Sequence, residues 1–92
     1  MDKIYELTLV LPEDITEKGA KSLLEGLLQK TGGEIKAVDF WGVRELAYPI
    51  KKKTRGMYFL FDLVLTAKQV LDLGMRLKQS EDILRHLLVT KK

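Results

Sequence analysis

Cysteine is absent from the 92 residues, which excludes a disulfide framework and any thiolate metal site. Histidine occurs once, at His86. Its neighbours Leu84, Arg85, Leu87 and Leu88 supply neither carboxylate nor hydroxyl, so no acid–base pair forms around it in sequence. A metal site would then have to be mostly carboxylate. The candidate cluster Glu13, Asp14 and Glu17 suits the positive end of a helix dipole instead. No apolar run approaches the about 20 residues of a membrane span. Met1-Asp2-Lys3-Ile4 lacks a basic region leading into an apolar stretch, which points to an intracellular chain without a secretory leader. Gly32-Gly33 ends a helical pattern where a phosphate-cradling loop would begin one. No cofactor, metal, membrane contact or small-molecule substrate is expected.

The residues that are present make an ordinary globular mixture, 46% hydrophobic and 32% charged. The length suits one core and one domain over residues 1–92. The net charge is only +3, but its distribution is uneven. Lys51, Lys52, Lys53 and Arg55 crowd one connection, and Lys91 and Lys92 end the sequence. Clustered cations raise the local potential and draw polyanions.

From Lys3 to Leu11 the pattern has period two. Tyr5, Leu7, Leu9 and Leu11 share one face, and Pro12 ends the strand. Asp14 (with Glu17 completing a capping box) or Thr16 starts a helix. Its buried stripe is Ala20, Leu23, Leu24, Leu27 and Leu28, and Gly32-Gly33 stops it. Glu34 to Ile50 reads as a second strand with Ile35 and Val38 inward and a bulge between Val38 and Gly42. Tyr48-Pro49 closes that segment. Lys51 to Arg55 is a basic loop. Gly56 to Leu65 follows as a strand, with Met57, Phe59, Phe61, Leu63 and Leu65 inward. Thr66 and Gln69 cap a second helix whose buried stripe is Ala67, Val70, Leu71, Leu73, Gly74 and Leu77. A last strand from about Ile83 to Thr90 turns Leu84 and Leu88 inward. The order predicts an α+β, ferredoxin-like βαββαβ fold: a four-stranded antiparallel sheet with two helices on one face.

Such a sheet leaves its other face bare. Glu6, Thr8, Val10, Tyr58, Leu60, Asp62, Val64, Arg85 and Leu87 fall there, more apolar than water favours, which marks an interaction surface. The basic loop lies beside it, and Arg44 extends the basic patch toward phosphates. Arg55-Gly56-Met57-Tyr58-Phe59-Leu60 approaches the RNA-recognition-motif signature. It departs at its third, fourth and eighth positions, and Met57 and Phe59 point inward where that motif needs outward aromatics. Acylphosphatase chemistry on this topology needs a cation in the first strand–helix loop, and Leu11-Pro12-Glu13-Asp14 is acidic. A dimerisation or ligand-sensing domain of the same topology, without RNA binding, is the alternative.

Trp41-Gly42-Val43-Arg44-Glu45-Leu46-Ala47-Tyr48-Pro49-Ile50 followed by lysine resembles the bacterial small-subunit ribosomal protein six family. Tyr5-Glu6, the glycine-ended first helix, the Gly56 strand and Arg85 extend the resemblance over nearly the whole chain. It implies a non-catalytic component of the small ribosomal subunit, cytoplasmic and ribosome-associated. It also implies binding to the central domain of small-subunit ribosomal RNA together with small-subunit ribosomal protein eighteen. By position, Arg44 and Arg85 match basic family positions and Lys3 lies near a basic N-terminus. Val43, Glu45, Leu84 and Asp2 stand where members can be basic, which throws weight onto Lys51–Arg55. An acidic tail that some members carry has no counterpart up to Lys92. The expected RNA-binding set is therefore Lys3, Arg44, Lys51, Lys52, Lys53, Arg55 and Arg85. The expected protein-partner set is Tyr48, Tyr58, Leu60 and Leu87.

Overall fold

Alternation puts Leu7, Leu9 and Leu11 of the first strand at 0% exposure, within the hydrophobic core. The computed structural model describes residues 3–91; Asp2 and Lys92, both weighed above, lie outside the described residues. The elements are β1 (Lys3–Pro12), α1 (Glu17–Thr31), β2 (Glu34–Ile50), β3 (Lys53–Leu65), α2 (Ala67–Gln79) and β4 (Arg85–Thr90). All neighbouring strands run antiparallel in the order β2-β3-β1-β4. This is the βαββαβ, ferredoxin-like arrangement that the sequence order predicts.

Thr16, not Asp14, caps α1: its Oγ1 accepts from the Gly19 N–H at 3.0 Å. Gly32, at φ +87°, ends the helix and donates its N–H to the Leu28 carbonyl at 2.7 Å. Thr66 and Gln69 form the expected box on α2. The Thr66 N–H meets Gln69 Oε1 at 2.9 Å and the Gln69 N–H meets Thr66 Oγ1 at 3.2 Å. Ala20, Leu24 and Leu28 of α1, with Leu73 and Leu77 of α2, close over Phe59, Phe61, Leu63 and Leu65. Ile83, just before β4, completes the core at 5% exposure.

Three further expectations fail, each for its own reason. Val38 lies across from Phe61 on the helix side but is 36% exposed, because β2 is an edge strand. Leu71 is 74% exposed. At 100° per residue it lies about 160° around the helix from Leu73 and cannot share that stripe. The basic loop is shorter than five residues. Ile50 pairs with Lys53, leaving only Lys51 and Lys52 as a turn, with Lys53 and Arg55 already in β3. Both turn residues have positive φ, +49° and +66°, as a two-residue primed hairpin requires.

Candidate nucleic-acid and partner interface

Among the described residues no helix covers the second face of the sheet, and cross-strand register fixes what lines it. Successive rows from β2 to β4 read Ala37–Asp62–Glu6–Val89, Asp39–Leu60–Thr8–Leu87 and Gly42–Tyr58–Val10–Arg85, with Arg44–Gly56–Pro12 beyond. Register therefore builds a graded surface. One end is acidic (Glu6, Asp39, Asp62), the middle is apolar (Tyr58, Leu60, Leu87), and the other end is basic (Arg44, Arg85). Tyr58 and Leu60 are half-buried and Leu87 is 58% exposed. A hollow of about 240 Å³ opens among Thr8, Val10, Tyr58, Arg85, His86 and Leu87.

Val10 departs from the expected bare row. It sits on this face but is only 2% exposed. Between Glu45 and Ile50 the β2–β3 register slips: four β2 residues, Leu46 to Pro49, face the single β3 residue Thr54. The slack lets Leu46 fold back until its Cδ2 stands against Gly56, beside the Val10 methyl. Tyr48, in the same excursion, is left 57% exposed. The hairpin tip also crosses the end of β1, and Lys51 Nζ donates to the Glu81 carbonyl at 2.8 Å, just before β4. The lysine turn thus lies at the sheet end that carries Arg85.

The expected basic residues do not all gather. Arg44, Lys51, Lys52 and Arg85 share one end of the sheet. Arg55 alternates with Gly56 and projects to the helix side, where its Nε lies 3.5 Å from Glu13 Oε2. Lys53 falls on that side too. Lys3 pairs with Leu65 at the far end of β1, roughly 20 Å away at 3.3 Å per residue. Lys91, which sequence reasoning left as tail, crosses the acidic end: its Nζ meets Asp62 Oδ2 at 2.6 Å. That hydrogen bond foremost, outweighing a desolvation penalty and helped by the charges of Asp62 and Glu6, raises the Lys91 pKa above its ordinary 10.5.

Sequence reasoning also missed Phe40 and Trp41, each 44% exposed. Phe40 rests on Phe59, centroids 5.3 Å apart. Trp41 is the extra residue of a register slip between Phe40 and Gly42. Its indole N–H donates to Asp39 Oδ2 at 3.1 Å, and the Arg44 guanidinium lies 5.6 Å from the ring centroid. The signal was available: a Trp-Gly pair inside a strand marks a bulge, and bulges re-aim side chains. Met57 and Phe59 do point inward, so β3 cannot stack bases as an RNA-recognition motif does.

A core-facing helix layer, one graded bare face and a basic hairpin define a small interaction domain of the ferredoxin-like class. Comparison with known proteins narrows that class. A family model described as Ribosomal protein S6 matches residues 4–90. Small ribosomal subunit protein bS6 of Dictyoglomus turgidum is 37% identical over 87 residues, covering 91% of this chain and 90% of that protein. The bS6 protein of Acidothermus cellulolyticus is 36% identical over 88 residues, 92% of either chain. The crystal structure of 30S ribosomal protein S6 from Thermotoga maritima superposes with a TM-score of 0.79 over 99% of this chain and 89% of that one; at 22% identity it speaks for the fold. The chain belongs to the ribosomal protein S6 family. It is thus a small-subunit, ribosome-associated protein of the cytoplasm, in a family of structural proteins and not of enzymes.

Proposed function

We propose that this protein binds the central domain of small-subunit ribosomal RNA through the basic end of its bare face, and docks small-subunit ribosomal protein eighteen on the apolar middle. The observation that carries the reading is the graded face itself: Tyr58, Leu60 and Leu87 adjoin Arg44, Arg85 and the Lys51-Lys52 turn. Burying a few hundred Å² of that middle against a partner is worth several kcal/mol at about 25 cal/mol/Å² before association costs. The cations beside it hold phosphates and set orientation on the RNA. Arg55, Lys53 and Tyr48, on or near the excursion, widen the contact around the hairpin, and Lys3 serves at most as a remote contact. The role is structural, with no reaction to catalyse.

Titrating purified partner against this protein, then adding RNA, separates the two halves. Leu60→Glu should weaken partner pairing at least tenfold while the fold stays intact by circular dichroism. Arg44→Ala with Arg85→Ala should leave pairing alone and weaken RNA binding. Pairing that survives Leu60→Glu would remove the partner from this face. Absence of the protein from small subunits on a gradient would defeat the reading altogether.

A further inference from the structure

We infer that Trp41, with Arg44 beside it, is a stacking platform for one unpaired RNA base at the β2 edge of the bare face. The inference rests on the reading that RNA meets the basic end of that face, and it adds a contact to a base where the cations hold only phosphates. The local chain builds the platform. Trp41 is the extra residue between the pairs Phe40–Phe59 and Gly42–Tyr58. Gly42 follows at φ +88°, a left-handed conformation that glycine adopts at no steric cost, so the bulge is tied to this position. The bulge takes Trp41 out of the alternation that lays Phe40 on Phe59 at the helix side. Its two contacts, Asp39 and Arg44, both stand in rows of the bare face. Because β2 is an edge strand, a ligand reaches the ring from the side as well as from above.

The same contacts fix which part of the indole is left for a ligand. Its polar edge is satisfied, because the N–H donates to Asp39 Oδ2 at 3.1 Å. The Arg44 guanidinium stands over the ring, 5.6 Å from its centroid, within cation–π range. What remains is π surface, and the residue keeps 44% exposure. A ring already held by two neighbours has little freedom left to lose when a ligand stacks on it.

An RNA base suits this surface better than an apolar protein side chain. Every base has a π-face, and unpaired bases are held by aromatic rings and guanidinium planes set beside phosphate-binding cations. A dry protein contact over the indole would instead strip water from the carboxylate of Asp39 and the guanidinium of Arg44, at a cost that nothing apolar repays. For a nucleotide those two charges give direction. Arg44 and the Lys51-Lys52 turn attract its phosphate on one side, Asp39 repels it on the other, and the base is left over the ring. Trp41 thus supplies from the sheet edge the outward stacking aromatic that β3 lacks, with Met57 and Phe59 turned into the core.

Trp41 is the sole tryptophan of the chain, so its fluorescence reports this site alone. The full chain is titrated with a transcript of the central domain of small-subunit ribosomal RNA, with and without the purified partner protein, and binding is followed independently by filter retention. The Trp41→Leu complex supplies the background emission. Stacking of a base should quench the Trp41 emission, and the partner alone should leave it unchanged. Trp41→Leu keeps an apolar side chain without a π-face; it should weaken RNA binding about fivefold or more. The salt slope should not move, since the ring carries no charge. Trp41→Tyr should lose much less. Trp41 lies outside the buried core, so both variants should fold, which circular dichroism checks. RNA held without quenching, or leucine serving as well as tyrosine, would overturn the platform and leave RNA binding standing. A blue shift on adding the partner alone would assign the ring to a protein contact and overturn it too. Failure of the wild type to retain RNA at all would overturn the platform together with the reading beneath it.

Discussion

Gly56→Ala tests the packing that brings the hairpin onto the sheet. Gly56 is buried, and a Cβ there would stand 2.5 Å from Cγ1 of Val10, 3.3 Å from the Leu11 carbonyl oxygen and 3.5 Å from Cδ2 of Leu46. Its φ lies outside the left-handed region, so alanine pays no backbone penalty and the cost is steric. Val10 cannot easily yield: it is 2% exposed and β-branched, with a stiff χ1. Overpacking of this kind costs about 1–3 kcal/mol, and the lower unfolded-state entropy of alanine returns about 0.4–1 kcal/mol. The net loss, about 1–2 kcal/mol, should lower Tm by roughly 5–15 °C at about 4–8 °C per kcal/mol for a domain this size. Urea unfolding should show a lower midpoint at unchanged slope. Val10→Ala opens the space, so the double variant should be more stable than the two single losses predict, by about 1 kcal/mol. An unaltered Tm, or strict additivity in that cycle, would refute the claim that Leu46 and Gly56 close over Val10.

Replacing Lys51, Lys52 and Lys53 together with alanine should flatten the log–log salt dependence of RNA binding by about 1.4 to 1.8, at roughly 0.7–0.9 for each phosphate met by the unpaired Lys52 and Lys53; an anisotropy titration with an unchanged slope would take the turn out of the interface. Lys52→Gly should move stability and binding in opposite directions. It relieves a left-handed residue that costs on the order of 1 kcal/mol, while removing a cation, so a loss of both in urea and RNA titrations would contradict the strain argument. The raised Lys91 pKa makes its bond to Asp62 fully effective below the ordinary 10.5 and lost as pH rises through the higher folded value. The stability difference between wild type and Lys91→Met should therefore stay level from neutral pH to about 10 and shrink above it; a difference that vanished already at pH 9 would rule out the pair.

The element order was legible because each signal was local. Leu7, Leu9 and Leu11 could satisfy only a period of two, and Thr66 with Gln69 only a capping box. The bare face was legible for the same reason, since one charged position, Asp62, oriented the β3 rows. The fold-back of Leu46 was not. It depends on a four-against-one slip whose slack is absorbed over Gly56, a long-range fact with no periodic signature. The exposure of Leu71 was misread because an apolar residue adjoining a stripe looks like part of it until the helical angle is counted. The split of the basic segment into Lys51-Lys52 on one side and Arg55 on the other follows from strand parity, which became readable only once the turn was known to have two residues.

That split gives the basic residues two different tasks. Lys51 and Arg55 are engaged, the first with the Glu81 carbonyl and the second with Glu13. They tie the hairpin tip to the α2–β4 and β1–α1 connections from opposite sides. Each bond is exposed and contributes little to stability alone. Together they hold a tip whose turn residues sit at positive φ, a conformation that persists only where the surroundings impose it. Among the described residues, Lys52, Lys53 and Arg85 form no ion pair or side-chain hydrogen bond, so they meet a polyanion without first breaking an internal contact. Arg44 keeps its guanidinium over Trp41, which fixes its direction without neutralising its charge. Ordering the tip before binding removes part of the entropy cost that a mobile lysine loop would incur on the RNA. The tethers therefore act on affinity indirectly: their loss should weaken binding with little change in salt slope, whereas loss of the unpaired cations changes the slope itself.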